Sequence, residues 1–362
     1  MPRVSFNNKD RIFYSVVKSE VERYFQQKHL KKTGNWKLFL KSGILIPLAI
    51  LIYIVLVTFH LPLAFVVVLG GLLGLVLASV GFNVMHDACH GSYSQHKWVN
   101  EVFGLSLNML GGNAFIWKQK HNIIHHTYTN IDGMDDDISF TSLLRLCPTK
   151  HWMPIHRLQH VYLFFIYSLT SFAWVFGTDF KKYFSRKVYT TPLSKMNRKE
   201  HVVFWTSKFV NIIIYIILPI FLKGWLFGIL FFISVHIVLG FTLAIVFQLA
   251  HVVENTVFEV ASTDPKLIED EWAVYQVKTT ANFAQGNKIV SWFVGGLNYQ
   301  IEHHLFPRIS HVHYPAIGRI VKNACIKFNI PYNENPTMIS AIMSHIRMMR
   351  LLGKKPTLAG IN

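Results

Sequence analysis

Residues 42–86 contain no Asp, Glu, Lys or Arg, and residues 209–253 contain a single charged side chain, Lys223. Each run breaks near its middle, the first at "FHLPLA", where His60 and Pro62 suit a turn, the second at "LKGW". A bilayer crossing takes roughly 20 apolar residues, so each run predicts two spans. They fall at about 40–60, 62–83, 203–222 and 225–250.

Two further apolar stretches need a place. Residues 102–117 are too short and glycine-rich for a good span. Residues 158–178 are long enough, but crossing there would separate 179–208, with its eight Lys and Arg, from the basic N-terminal region. Basic segments collect on the cytoplasmic side, so both stretches are expected to be interfacial or re-entrant. The expected fold is therefore an all-α integral membrane protein with four transmembrane helices in two hairpins. Interfacial amphipathic helices and a cytoplasmic helical cap complete it, with both termini cytoplasmic.

Outside the spans the period is helical and amphipathic. Phe13, Val16, Val17, Val21, Tyr24 and Phe25 mark one helix in an N-terminal segment, 1–40, that lies on the membrane or on the protein body. "YPAIGRIVKNACIKFNI" and "PTMISAIMSHIRMMRLLG" predict two more, separated by the breaker Asn335-Pro336. The main domain is expected over 41–355, with a tail at 356–362. The N-terminal segment lacks the short apolar core and small-residue cleavage site of a removable signal, so the first span is expected to direct insertion.

Composition agrees with the pattern: 51% of residues are hydrophobic and 15% charged, with 36 Lys and Arg against 19 Asp and Glu. A net charge of +17 also suits a nucleic-acid binder, but the apolar runs assign it to membrane-facing loops instead. Cys89, Cys147 and Cys325 have no C-x-x-C spacing, and so form neither a disulfide framework nor a thiolate zinc site.

Histidine changes the picture. At 1.5 Å per residue, Leu63 to His86 covers about 35 Å and Trp225 to His251 about 39 Å, against roughly 30 Å of hydrocarbon. Both histidines then emerge at the cytoplasmic boundary. His86 and His90 in "HDACH" stand one turn apart on one helix face. "KHNIIHH" supplies His121, His125 and His126, and "QIEHH" supplies His303 and His304. These eight imidazoles, His251 included, exceed what one tetrahedral or octahedral ion uses, so they point to two metals. Imidazole suits iron, zinc and copper alike, and the count stops there.

Metal-bound imidazoles donate their second N–H to a carboxylate or carbonyl. Asp87, Asn122, Asp132, Asp135, Asp136 and Asp137 are candidates for that role, Asp87 and Asp137 foremost. Lys118, Lys120, Lys181, Lys182, Arg186 and Lys187 would meet phosphates, an acidic protein partner or anionic lipid. Trp117, Trp292 and Phe293 flank the second and third clusters and are expected to line a slot for an apolar substrate. His236 lies too deep in its span to join the others and is expected to be hydrogen-bonded within the bundle.

"HDACH", "HNIIHH" and "QIEHH" together resemble the three histidine boxes of the membrane-bound fatty acid desaturases. Gln300 in place of the first histidine of the third box resembles the front-end, acyl-CoA delta-6-like branch. What the resemblance implies is a di-iron centre held by the eight histidines, using O2 to remove two hydrogens from adjacent methylenes of a fatty acyl chain, with acyl-CoA the favoured carrier. Gln300 would orient a metal-bound water or complete a coordination shell. Many front-end relatives carry a fused cytochrome b5 with an H-P-G-G motif that does not occur here, so electrons are expected from a separate donor of ferredoxin or cytochrome b5 type. A fatty acyl hydroxylase would use the same boxes. A metal transporter would place its ligands near the bilayer midplane, and a di-heme cytochrome would leave most of these histidines unused.

Overall fold

The computed structural model describes residues 4–356 except 10, 140 and 263, so the tail proposed at 356–362 lies, after its first residue, outside the described residues. Four helices are long and apolar enough to cross a membrane: Trp36–Thr58, Leu63–His90, Arg198–Lys223 and Trp225–His251. They are termed here the first to fourth spans. The first and third begin earlier than the apolar pattern predicts because polar caps start them. Asn35 accepts a hydrogen bond from the Lys37 backbone, and Asn197 with Glu200 forms a reciprocal capping box. The second continues past residue 83 through a π-helical segment, Gly81–Met85, to His90.

The second and fourth spans lie side by side and run parallel, with Gly70 against Ser234, Gly74 against Val235 and Gly81 near Leu243. Parallel packing brings their C-terminal ends, His90 and His251, to the same end of the bundle. Small residues allow this approach. A Cβ at Gly74 would strike the carbonyl oxygen of Val235, which is backbone and cannot swing aside. Gly74→Val should therefore destabilise the protein by about 1–3 kcal/mol, read as a lower thermal transition in detergent micelles.

The stretch 158–178 belongs to two helices, Pro154–Ser168 and Thr170–Ser185, that bend by 60° at their junction. Ser171, just after the bend, places its hydroxyl 3.0 Å from Nδ1 of His236 and donates to the His236 carbonyl, so this deep histidine is hydrogen-bonded within the bundle as expected. The stretch 102–117 breaks into short helices, Lys97–Gly104, Ser106–Met109 and Ala114–Lys118.

The N-terminal helix, Ile12–Gln27, buries Phe13, Val17, Val21 and Phe25 against Ile317 and Val321 of the helix Tyr314–Lys327 and against Ile301 beside the third histidine cluster. It therefore docks on the protein body. The last helix, Met338–Leu352, is tied to the bend region by Tyr167 Oη and His345 Nε2 at 2.8 Å, while Nδ1 of the same ring donates to the carbonyl of Val252, next to the end of the fourth span. Strands are few and short. One two-residue parallel ladder pairs Ile131–Asp132 with Glu259–Val260, fixing the segment after the second cluster beside the end of the fourth span. All three cysteines are free and buried.

Candidate metal centre

Local sequence sets up each cluster. His86 and His90 share a helix face, and Gly91, at φ 73°, ends the helix directly after them in the left-handed conformation. The second cluster starts from a short helix, Ala114–Lys118, whose cap Asn113 accepts from the Ile116 backbone, and widens into a π-helical turn, Gln119–His125. There the rings of His121 and His125 stack at 5.2 Å. The third cluster occupies the helix Gln300–Leu305, held by Glu302, whose carboxylate accepts from Asn282 at 2.9 Å and from Tyr332 Oη at 2.8 Å. Burial raises the Glu302 carboxyl to about 7.

All eight histidines are buried and converge. His86, His90, His121 and His303 offer nitrogens within 4.8 Å of one another, and so do His125, His251 and His304. His126 stands between the sets, its ring 4.6 Å from that of His303 and 4.4 Å from that of His304. Among the described residues, Nε2 of His90, His121, His125 and His303, both nitrogens of His126, and Nδ1 of His251 are buried without a hydrogen-bond partner. Unpartnered buried nitrogens are costly, and seven in one nest fit a set of metal ligands. Burial, reinforced by neighbouring imidazoles, holds His121, His126, His303 and His304 well below the usual histidine range, so the rings are neutral, as ligands must be.

The opposite edges of three rings are occupied. Nδ1 of His304 donates to Gln276 Oε1 at 2.8 Å, Nδ1 of His303 lies 3.0 Å from Tyr314 Oη, and Nδ1 of His125 lies 3.0 Å from Asp135 and 3.4 Å from Asp137. For His125 burial pushes the pKa down, but the Asp135 carboxylate outweighs it and the net direction is up. Each contact leaves Nε2 aimed inward. Asp137 with His121 and His125 makes a further grouping of potential ligands.

Other expected neighbours lie elsewhere. Asp87 takes Ser310 Oγ at 2.6 Å and sits beside His311, while Asn122 donates to the Cys89 carbonyl at 2.9 Å, so neither holds a box histidine. Gln300 puts its amide 3.0 Å from His251 Nε2 and 3.3 Å from His304 Nε2, at the edge of the second set. Trp117 stacks on His121 at 4.3 Å. Trp292 is 40% exposed beside Lys41, and Phe293 packs on Phe82, so among the described residues only Trp117 of the three aromatic candidates contacts the nest. Lys120 and Lys182 pair with Asp136 and Asp137 and are thereby occupied.

Gln276 and Tyr314 carried no motif in the sequence. Their only available signal was a polar residue at a buried helical position, and Asp135 stood unresolved as one of four neighbouring aspartates.

Residues 60–336 match the family described as fatty acid desaturase. The chain is 35% identical over 361 residues to the sn-1 linoleoyl-lipid 6-desaturase of Synechocystis sp., covering 97% of this chain and 98% of that protein. It is 32% identical to the enzyme of the same name from Arthrospira platensis, over 95% and 93% of the two chains. The acyl-lipid (8-3)-desaturase of Physcomitrium patens is 32% identical over 94% of this chain and 72% of its own.

Proposed function

The chain belongs to the fatty acid desaturase family, and from that premise we propose that it introduces a cis double bond into a fatty acyl chain esterified to a membrane lipid. The relatives' names favour a lipid ester over the acyl-CoA expected from the glutamine-bearing box. The observation that carries the reading is the convergence of eight buried histidines into two sets with unpartnered nitrogens.

In this reading His86, His90, His121 and His303 hold one iron, His125, His251 and His304 hold a second, and His126 serves the space between them. When bound, the iron pair supplies the O2-dependent oxidation needed to break C–H bonds that no side-chain base can ionise. The chain's own residues do the positioning. Gln276 Oε1 accepts a hydrogen bond from His304 Nδ1–H and so fixes which nitrogen faces inward, and Asp135 does the same for His125. Trp117 packs its ring against those of His86, His90 and His121. The nest faces the cytoplasm, where a separate donor of ferredoxin or cytochrome b5 type supplies electrons, a sidedness supported by the basic segments at that end.

Expression in a host that makes no polyunsaturated fatty acids, followed by analysis of each lipid class, tests the activity and the carrier. The expected product lacks two hydrogens and appears first on intact glycerolipid. A product that gains oxygen instead would replace desaturation by hydroxylation. Asp135→Asn should weaken iron retention by about 10–100-fold, measured by chelator competition on the purified protein.

A further inference from the structure

One buried charged cluster has no part in the histidine nest. Lys41, at 8% exposure on the first span, donates from Nζ to Asn83 Oδ1 at 2.8 Å and to the Trp292 carbonyl at 3.2 Å, and reaches His311 Nε2 at 3.1 Å. Nδ1 of the same His311 ring lies 3.1 Å from Asp87 Oδ2. The Asp87 carboxylate also accepts from Ser310 Oγ at 2.6 Å and from the His311 backbone at 3.3 Å. Asn83 is fixed in turn, its amide donating to the carbonyls of Ser79 and Phe293. A cation, an imidazole and a carboxylate therefore form one compensated chain. It joins the first span, the second span and the segment after the third box.

Geometry shows what the chain controls. Asn83 and Asp87 are four residues apart on the second span, as are His86 and His90, and the two pairs form adjacent stripes on that helix. One stripe faces the nest and the other faces Lys41 and His311. Side-chain tips ride about 5–6 Å from a helix axis, so a rotation of only ~10° moves them by ~1 Å. Metal–ligand distances tolerate about 0.2 Å. Directional contacts at Asn83 and Asp87 on the neighbouring stripe add an angular restraint to that of apolar packing.

We propose that the Lys41–His311–Asp87 chain is a positioning device that sets the rotation of the second span and so aims His86 and His90 at the first metal. This rests on the two-metal reading above, and the test separates the two. Metal-free full-length protein in detergent micelles is titrated with Co2+ and followed by its optical bands. Wild type is expected to bind in two steps, assigned to the two sets by repeating the titration on His86→Ala and His251→Ala. Lys41→Met should weaken the step lost in His86→Ala by about 10–100-fold and leave the other in place. Lys41→Met/Asp87→Asn, which restores neutrality, should recover part of that loss. If Lys41→Met does not fold, His311→Gln decides alone, since it keeps a donor and an acceptor. Two unchanged steps, or two steps weakened alike, would overturn the proposal. Wild type that takes up no metal would overturn the two-metal reading and this proposal with it.

Discussion

His304→Ala should reduce double-bond insertion to background while the chain remains inserted and folded. The ring is fully buried, 5.0 Å from those of both His125 and His251. Alanine removes one of only three imidazoles in the second set and leaves Gln276 and Gln300 facing an empty pocket. The loss should appear both in the fatty-acid profile and as less iron per purified chain. His236→Ala is the matched control, since that ring is also buried but, among the described residues, hydrogen-bonds only to Ser171. It should cost about 1–3 kcal/mol from the lost ring packing and Nδ1 contact, since the Ser171 hydroxyl keeps the carbonyl of residue 236 as acceptor, and leave the iron content intact. A wild-type profile from His304→Ala would refute the role assigned to that ring.

The largest effect on stability is expected from Lys208→Met. Lys208 is 4% exposed and donates to Asp179 at 2.9 Å and to the carbonyls of Gly111 and Val175. Asp179, 2% exposed, also accepts from the Trp174 indole. Removing the lysine strands a buried carboxylate, which costs about 3–5 kcal/mol. Lys208→Met/Asp179→Asn should recover much of that, because no unpaired charge remains. Thermal or denaturant unfolding in micelles measures both, and equal stability of the single and double variants would show that the pair is not coupled.

Lys208 also corrects how the basic segment 179–208 was read. Counted as charge, it belongs with the lysines that face anionic surfaces. In the fold it is an internal tie between the third span and the bent helix pair. A sequence records that a cation is present but not whether a carboxylate from elsewhere in the chain neutralises it. The same limit explains Lys120 and Lys182, which were candidates for phosphate and are paired with the acidic loop.

Asp87 is the sharper case. Adjacency to His86 made it the natural partner of a box histidine, yet one residue along a helix turns a side chain by about 100°. Asp87 therefore faces away from the nest, toward Ser310 and His311. Asp135, unremarkable among its neighbours, becomes the nearest carboxylate to His125.

What the sequence determined by itself were the local and one-dimensional quantities. Long apolar runs marked the four spans, helical spacing put His86 beside His90, and rise per residue carried His251 to the end of its helix. None of these needs to know what lies opposite. The tertiary structure alone decided how the eight rings divide into two sets, which polar groups fix their tautomers, and which charges are paired. Those depend on the parallel packing of the second and fourth spans and on contacts between residues such as Thr129 and Gln276, or Lys41 and His311, far apart in the chain. Angles and distances of that kind arise only when helices settle against one another, and no periodicity along the chain encodes them.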